Sequence, residues 1–244
     1  MTPLFGRRKQ NSTESDVDRS ESAARAAEVD GSVESRRPRW LVVVPVKPSA
    51  RAKSRPDVDG VGRADLARAI ALDTLAAATA CDLVAQVVVV TDDAALARDA
   101  AMIPALRFVP EGDARGLDAA VAAGVAAIDP NGRMPRAALL GDLPALQPAD
   151  LADALRAAAS VPRAVVPDAE GTGSTLVTAG PGTPWDSSFG DGSFARHVAL
   201  GCEALAIPDA STLRRDVDTA AQLDAARALG LGPRTAALLG ARHG

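Results

Sequence analysis

The chain has 244 residues, with 27 Lys and Arg against 31 Asp and Glu, a formal net charge of −4 and 47% hydrophobic residues. That length and apolar content supply one substantial core, and the mildly acidic balance argues against a nucleic-acid or membrane-surface protein, which would carry a basic face. The two cysteines, Cys81 and Cys202, and the two histidines, His197 and His243, stand in no metal-ligand spacing, which argues against a zinc site and for the reducing cytoplasm. An apolar run long enough to span a bilayer, about eighteen residues, is absent, and so is the apolar stretch of a secretory signal.

Residues 1–37 are dominated by charged and small side chains without apolar periodicity and read as a disordered tail. The ordered domain, 38–244, opens on Trp40-Leu41-Val42-Val43-Val44-Pro45-Val46, a β-branched run suited to a central strand covered on both faces. Four further strands are predicted over Gln86–Val90, Leu106–Pro110, Arg136–Leu140 and Arg163–Asp168. An amphipathic helix is predicted over Arg63–Ala78, with Leu66, Ile70, Ala71 and Leu75 on one side. Others fall at Gly116–Ile128, Pro148–Ala159 and Gln222–Leu229, the last closed by Gly230. Strands alternating with helices of these lengths imply βαβ units, hence a single-domain α/β fold with a mainly parallel sheet flanked by helices. The region 171–200 is rich in Gly, Ser, Thr and Pro, breaks the alternation and reads as a long loop of the functional or disordered kind.

Leu139-Leu140-Gly141-Asp142-Leu143-Pro144 delivers a carboxylate at the carboxyl end of a buried strand, where ligands bind in open parallel sheets. Asp142 is placed there to hold Mg²⁺ against substrate phosphates, because Mg²⁺ takes one or two carboxylates and leaves its other positions to water and phosphate oxygens; a helix cap would use the same residue. The first strand runs into Lys47, Arg51, Lys53 and Arg55, four cations within nine residues. Such a loop neutralises a triphosphate or simply faces water; it is neither a P-loop nor a dinucleotide fingerprint. Thr91-Asp92-Asp93 ends the second strand and Arg214-Arg215-Asp216-Val217-Asp218-Thr219 precedes the last helix, so that Asp residues from distant segments could meet on one metal ion. Asp93 reads first as a helix cap, as does one of Asp218 and Thr219. Gly171-Thr172-Gly173-Ser174-Thr175 and Phe189-Gly190-Asp191-Gly192-Ser193 are small, hydroxyl-rich segments whose backbone N–H groups suit an anion or a plain turn. His197, at helical spacing from Ser193, reads as a packed residue before an anion contact, and is not taken as a base.

Taken together, Lys47-Pro48 with Ala52-Lys53-Ser54-Arg55, Val90-Thr91-Asp92-Asp93, Gly141-Asp142-Leu143-Pro144, Asp168-Ala169-Glu170-Gly171-Thr172-Gly173, Phe189-Gly190-x-x-Ser193 and Asp216-Val217-Asp218-Thr219 stand in an order that resembles one family. It is that of the guanylyltransferases that activate phosphoenolpyruvate or 2-phospholactate for synthesis of the deazaflavin coenzyme F-420, and the resemblance spans residues 40–238. The resemblance implies a glycosyltransferase-A-like nucleotidyltransferase fold, GTP and Mg²⁺, and a three-carbon phospho-acid as second substrate. Carried over by motif, Lys47, Lys53 and Arg55 form the catalytic loop on the GTP phosphates, Asp142 and Asp216 hold the metal, and Thr175, Gly190 and Ser193 bind phosphoenolpyruvate. The chain departs from the family pattern at Asp118, where Asn follows Gly-Leu, and at Ser174 in a GTGST rather than GTGTT segment. Its Ala- and Arg-rich composition resembles the actinobacterial branch, which implies condensation of phosphoenolpyruvate with GTP to enolpyruvoyl-2-diphospho-5′-guanosine and pyrophosphate. The alternatives are a 2-phospholactate guanylyltransferase and a non-catalytic nucleotide-binding module; the latter would not need Asp142 and Asp216 together. No nucleic acid or membrane is expected as a partner, and the oligomeric state is left open.

Overall fold

The structure is a computed structural model that describes Met1 and residues 39–47, 61–113 and 115–240. Apart from Met1, the expected tail over 1–37 lies outside the described residues, as do the loop positions Lys53 and Arg55.

The β-branched runs become the centre of one seven-stranded sheet. Its strands are β1 (Trp40–Pro45), β2 (Val84–Val90), β3 (Leu106–Val109), β4 (Arg136–Leu139), β5 (Arg163–Pro167), β6 (Ser174–Ala179) and β7 (Glu203–Ala204), in the order β3-β2-β1-β4-β6-β5-β7. β1 runs parallel to β2 and β4, β2 to β3, and β5 to β7. β6 is antiparallel to both of its neighbours, β4 and β5. The α/β architecture therefore stands, with one antiparallel strand inserted in a mainly parallel sheet. The region 171–200 is not one long loop: it contains β6 and the helix Ser193–Ala199. All six residues of β6 are buried, and its hydroxyls are tolerated there where they find backbone partners, as Thr178 Oγ1 does in accepting from Ala164 N at 3.1 Å.

The helices are α1 (Arg63–Ala80), α2 (Ala94–Asp99), α3 (Leu117–Ile128), α4 (Pro148–Ala158), α5 (Ser193–Ala199), α6 (Ala220–Ala228) and α7 (Pro233–Gly240). Successive residues of a strand face opposite sides, and β1 shows it. Val42 and Val44 pack with Leu72 and Leu75 of α1 and Leu151 and Leu155 of α4, whereas Val43 packs with Val121 and Val125 of α3. None of the described helices is long and apolar enough to cross a membrane. A buried carboxylate on α1, Asp73, accepts from the backbone N–H groups of Arg234 (3.1 Å) and Thr235 (2.7 Å) and so receives the first turn of α7. Just before that helix, Gly232 N donates to Pro144 O at 2.7 Å.

Candidate active site

The carboxyl ends of β1, β4 and β5, the start of α5 and the segment before α6 surround a cleft of about 440 Å³. Lys47, Asp142, Asp168, Ser174, Ser193 and Asp216 are among its walls. Asp142 reaches it because the chain after β4 is held tightly. Leu140 N donates to Thr175 O. Gly141 then passes so close to β1 that a Cβ there would lie 3.0 Å from Val46 Cγ2 and 3.3 Å from Val44 Cγ1. Beyond Asp142, Leu143 N donates to the buried Thr74 Oγ1 (3.1 Å), which itself donates to Ile70 O within α1.

A backbone bond, Val217 N to Asp142 O at 3.1 Å, brings the Asp216 segment against the end of β4. This joins two of the acidic motifs that lie far apart in sequence. Asp216 Oδ1 is buried and has no hydrogen-bond partner among the described residues. Burial, and then the negative charges of Asp142 and Asp168, push the Asp216 carboxyl up to about 7. Asp168, Glu170 and Asp216 each offer a carboxylate oxygen, all within 4.8 Å of one another. An unpartnered buried oxygen in an all-oxygen donor set fits a hard divalent cation. Asp168 and Glu170 stand together in one sequence motif but are not among the residues that the resemblance implies for the metal.

Asp168 also shapes the turn that follows β5. Its two carboxylate oxygens accept from Thr172 N (2.9 Å) and Gly173 N (2.7 Å), and its carbonyl accepts from Arg214. A Cβ on Gly173 would collide with Asp168 Oδ2, so a larger residue there would have to displace that carboxylate.

The cleft is also lined by Ser174, Gly190 and Ser193. Gly190 has φ +105°, and its carbonyl accepts from Ser193 N at 2.9 Å. The structure thus brings two of the three residues expected to bind the acceptor, Gly190 and Ser193, onto the cleft. The third, Thr175, is fully buried in β6 and is not among the cleft walls; its hydroxyl oxygen has no hydrogen-bond partner among the described residues. Ser174 holds the wall position instead.

Three side chains fix the loop between residues 187 and 192. Asp118, at the start of α3, accepts from Ser187 Oγ (2.8 Å) and Phe189 N (2.9 Å). Arg196 donates to the carbonyls of Ser188, Phe189 and Asp191 and to Ser188 Oγ. His197 Nε2 faces Ser188 N at 2.9 Å and Nδ1 faces Ser174 Oγ at 3.0 Å. The ring is fully buried behind the cleft wall, and that burial lowers its pKa. Asp118 acts here as an acceptor for two donors, a task the oxygen of an Asn would also perform. Of the remaining candidates, Lys47 is exposed at the end of β1 and lines the cleft. Asp93 caps α2 by accepting from Ala95 N and Leu96 N. Thr219 caps α6 in a capping box with Gln222.

A mostly parallel α/β sheet whose strand ends frame a carboxylate-walled cleft places the site where open α/β sheets bind ligands, and the chain's sequence relatives make the class a nucleotidyltransferase. A solved structure from Desulfovibrio desulfuricans, assigned as a nucleotide-diphospho-sugar transferase, shares the fold with a TM-score of 0.58 and 19% identity, covering 84% of this chain and 95% of that one. The phosphoenolpyruvate guanylyltransferases of Thermomonospora curvata and Streptomyces coelicolor are 50% and 49% identical over 203 and 202 residues. Those matches cover 82% of this chain, and 88% and 95% of the two relatives. Residues 40–230 match the family described as guanylyl transferase, CofC like, and the chain belongs to that family.

Proposed function

We propose that this chain is a cytoplasmic phosphoenolpyruvate guanylyltransferase that condenses phosphoenolpyruvate with GTP, giving enolpyruvoyl-2-diphospho-5′-guanosine and pyrophosphate, in the synthesis of coenzyme F-420. The observation that carries this reading is the 50% identity, over 82% of the chain, to an enzyme of that name. Asp142 and Asp216 both line the cleft, tied by the Val217 N to Asp142 O bond, and this supports a catalytic over a merely nucleotide-binding role, although the carboxylate oxygens that meet within 4.8 Å are those of Asp168, Glu170 and Asp216.

In the reaction, an oxygen of the phosphoenolpyruvate phosphate attacks the α-phosphorus of GTP. The bond from that phosphorus to the bridging oxygen of the β-phosphate breaks, and pyrophosphate leaves with the electron pair. The attacking phosphate is already ionised, so no general base is required, and the protein's work is positioning and charge neutralisation. Lys47, with Lys53 and Arg55, is assigned to the GTP phosphates. Asp142 and Asp216, with Asp168 and Glu170 beside them, would hold Mg²⁺, which when bound neutralises phosphate charge and orients the two substrates. Gly190 and Ser193 are assigned to the acceptor anion, with Ser174 alongside and Thr175 behind them.

The test is pyrophosphate release by the purified protein with GTP and Mg²⁺, run with phosphoenolpyruvate, with 2-phospholactate and with neither. Release only with phosphoenolpyruvate is the expected result. Release only with 2-phospholactate would keep the mechanism and change the substrate. No release with either acceptor would overturn the enzyme reading.

A further inference from the structure

We infer that His197 is a positioning residue for the acceptor substrate: acting through Ser174, it commits one hydroxyl hydrogen of the Ser174–Ser193 pair to the cleft, and so makes that wall a donor to an anionic oxygen. The inference rests on the reading above in one respect, that this wall receives the phospho-acid.

The argument is a count of hydrogens. The backbone N–H of Ser188 can only donate, and it points at His197 Nε2 from 2.9 Å. Nε2 therefore carries no proton, and the neutral ring holds its proton on Nδ1. Nδ1–H donates to Ser174 Oγ, 3.0 Å away. Ser174 Oγ is in turn 3.2 Å from Ser193 Oγ. The two hydroxyls own two hydrogens. His197 accepts neither, and the bond between the serines uses one. The other has no acceptor among these partners, whichever serine carries it. Both serines line the cleft, although they are only 3% and 2% exposed. An ionised carboxylate or phosphate is an acceptor only and matches that donor.

The opposite tautomer would reverse the wall. Nδ1 would accept from Ser174, Ser193 would donate to Ser174, both hydrogens would be used internally, and oxygen lone pairs would face the anion. The ring has little freedom to change: it is fully buried, and Phe189 packs edge-on against it with centroids 4.9 Å apart at 71°. The proposed reaction needs no base, so nothing else in the mechanism occupies this histidine.

The chain has two histidines, so ¹⁵N-imidazole labelling of the full-length protein gives two assignable rings. The expected spectrum shows His197 as the Nδ1–H tautomer at about pH 8, with its resonances, and not those of His243, shifting when phosphoenolpyruvate is added. An Nε2–H or doubly protonated His197 would overturn the inference, as would a ring indifferent to the acceptor. In steady-state kinetics His197→Leu should raise the KM for phosphoenolpyruvate about tenfold, as expected for one misdirected hydrogen bond to a charged group, with the KM for GTP unchanged. His197→Asn, whose amide can donate from the Nδ1 side, should recover part of the loss. Equal rises in both KM values, or no rise, would overturn it. If the Leu variant does not fold, the spectrum of the unsubstituted protein decides. Absence of pyrophosphate release from the unsubstituted protein would count against the guanylyltransferase reading, whereas the tautomer is scored independently of turnover.

Discussion

The two walls of the cleft treat their polar groups in opposite ways. On the carboxylate wall, Asp216 keeps one buried oxygen without a hydrogen-bond partner among the described residues and has its pKa raised to about 7 by burial and by Asp142 and Asp168. On the serine wall, the loop at 187–192 is held by Asp118, Arg196 and His197 through bonds that are already made. The first wall carries an electrostatic cost that a bound cation would relieve. The second is preorganised, so an anion bound there would need little reorganisation. The proposed reaction, which brings two anions together, would draw on both.

The sharpest way to break this contrast is Asp142→Asn. On the metal role proposed for Asp142, turnover should fall at least about a hundredfold with thermal stability retained, and undiminished pyrophosphate release would remove the carboxylate wall from the chemistry. On the serine wall, Asp118→Ala leaves Ser187 Oγ and Phe189 N without their acceptor. The KM for phosphoenolpyruvate should then rise about tenfold, while Asp118→Asn stays near the unsubstituted value because its amide oxygen still accepts. A common effect of both substitutions on the KM for GTP would show that the walls are not separate.

Stability against pH separates the walls further. The raised pKa of Asp216 means that the folded state holds this proton more tightly than the unfolded chain does. Its contribution is therefore lost as pH rises from about 4 to about 7, and above that the ionised group is a net cost. In the absence of divalent cation, Asp216→Asn should accordingly raise Tm by a few degrees at about pH 8 and by little near pH 4. Added Mg²⁺ should close the gap at the higher pH by stabilising only the unsubstituted protein; a gap independent of pH would contradict the electrostatic account. The smallest effect is expected at the capping box of α6, beside the cleft-lining Asp218. Thr219→Ala removes that box and should cost about 1 kcal/mol in chemical denaturation.

What could be read from the sequence follows the same division. β1 and β2 announce themselves as unbroken β-branched runs, and Asp93 and Thr219 as caps, because a cap is a matter of local spacing. Asp142 is legible as a carboxylate at a strand end for the same reason. β6 is not, since Ser174 and Thr175 follow a glycine-rich turn and are buried only because β4 and β5 pair on either side of them. The choice between Ser174 and Thr175 depends on a register irregularity between Val166 and Pro167 of the neighbouring strand, which no local pattern encodes. Asp118 meets its partners 69 and 71 residues away, so its anchoring role appears only once the chain is folded.

The family match closes at residue 230, before α7 begins at Pro233. The recognisable domain and the cooperative unit therefore do not share a boundary. Asp73 is sealed at 4% exposure with its oxygens committed to Arg234 N and Thr235 N, and Gly232 N ties the same terminal segment to Pro144, two positions beyond Asp142. A polypeptide cut at Gly230 would keep every motif of the family. It would nonetheless remove both backbone donors of Asp73 and the segment that covers it, together with the buried Leu239, and so should be destabilised. The first turn of α7 is in this sense a distant tether of the segment that carries Asp142.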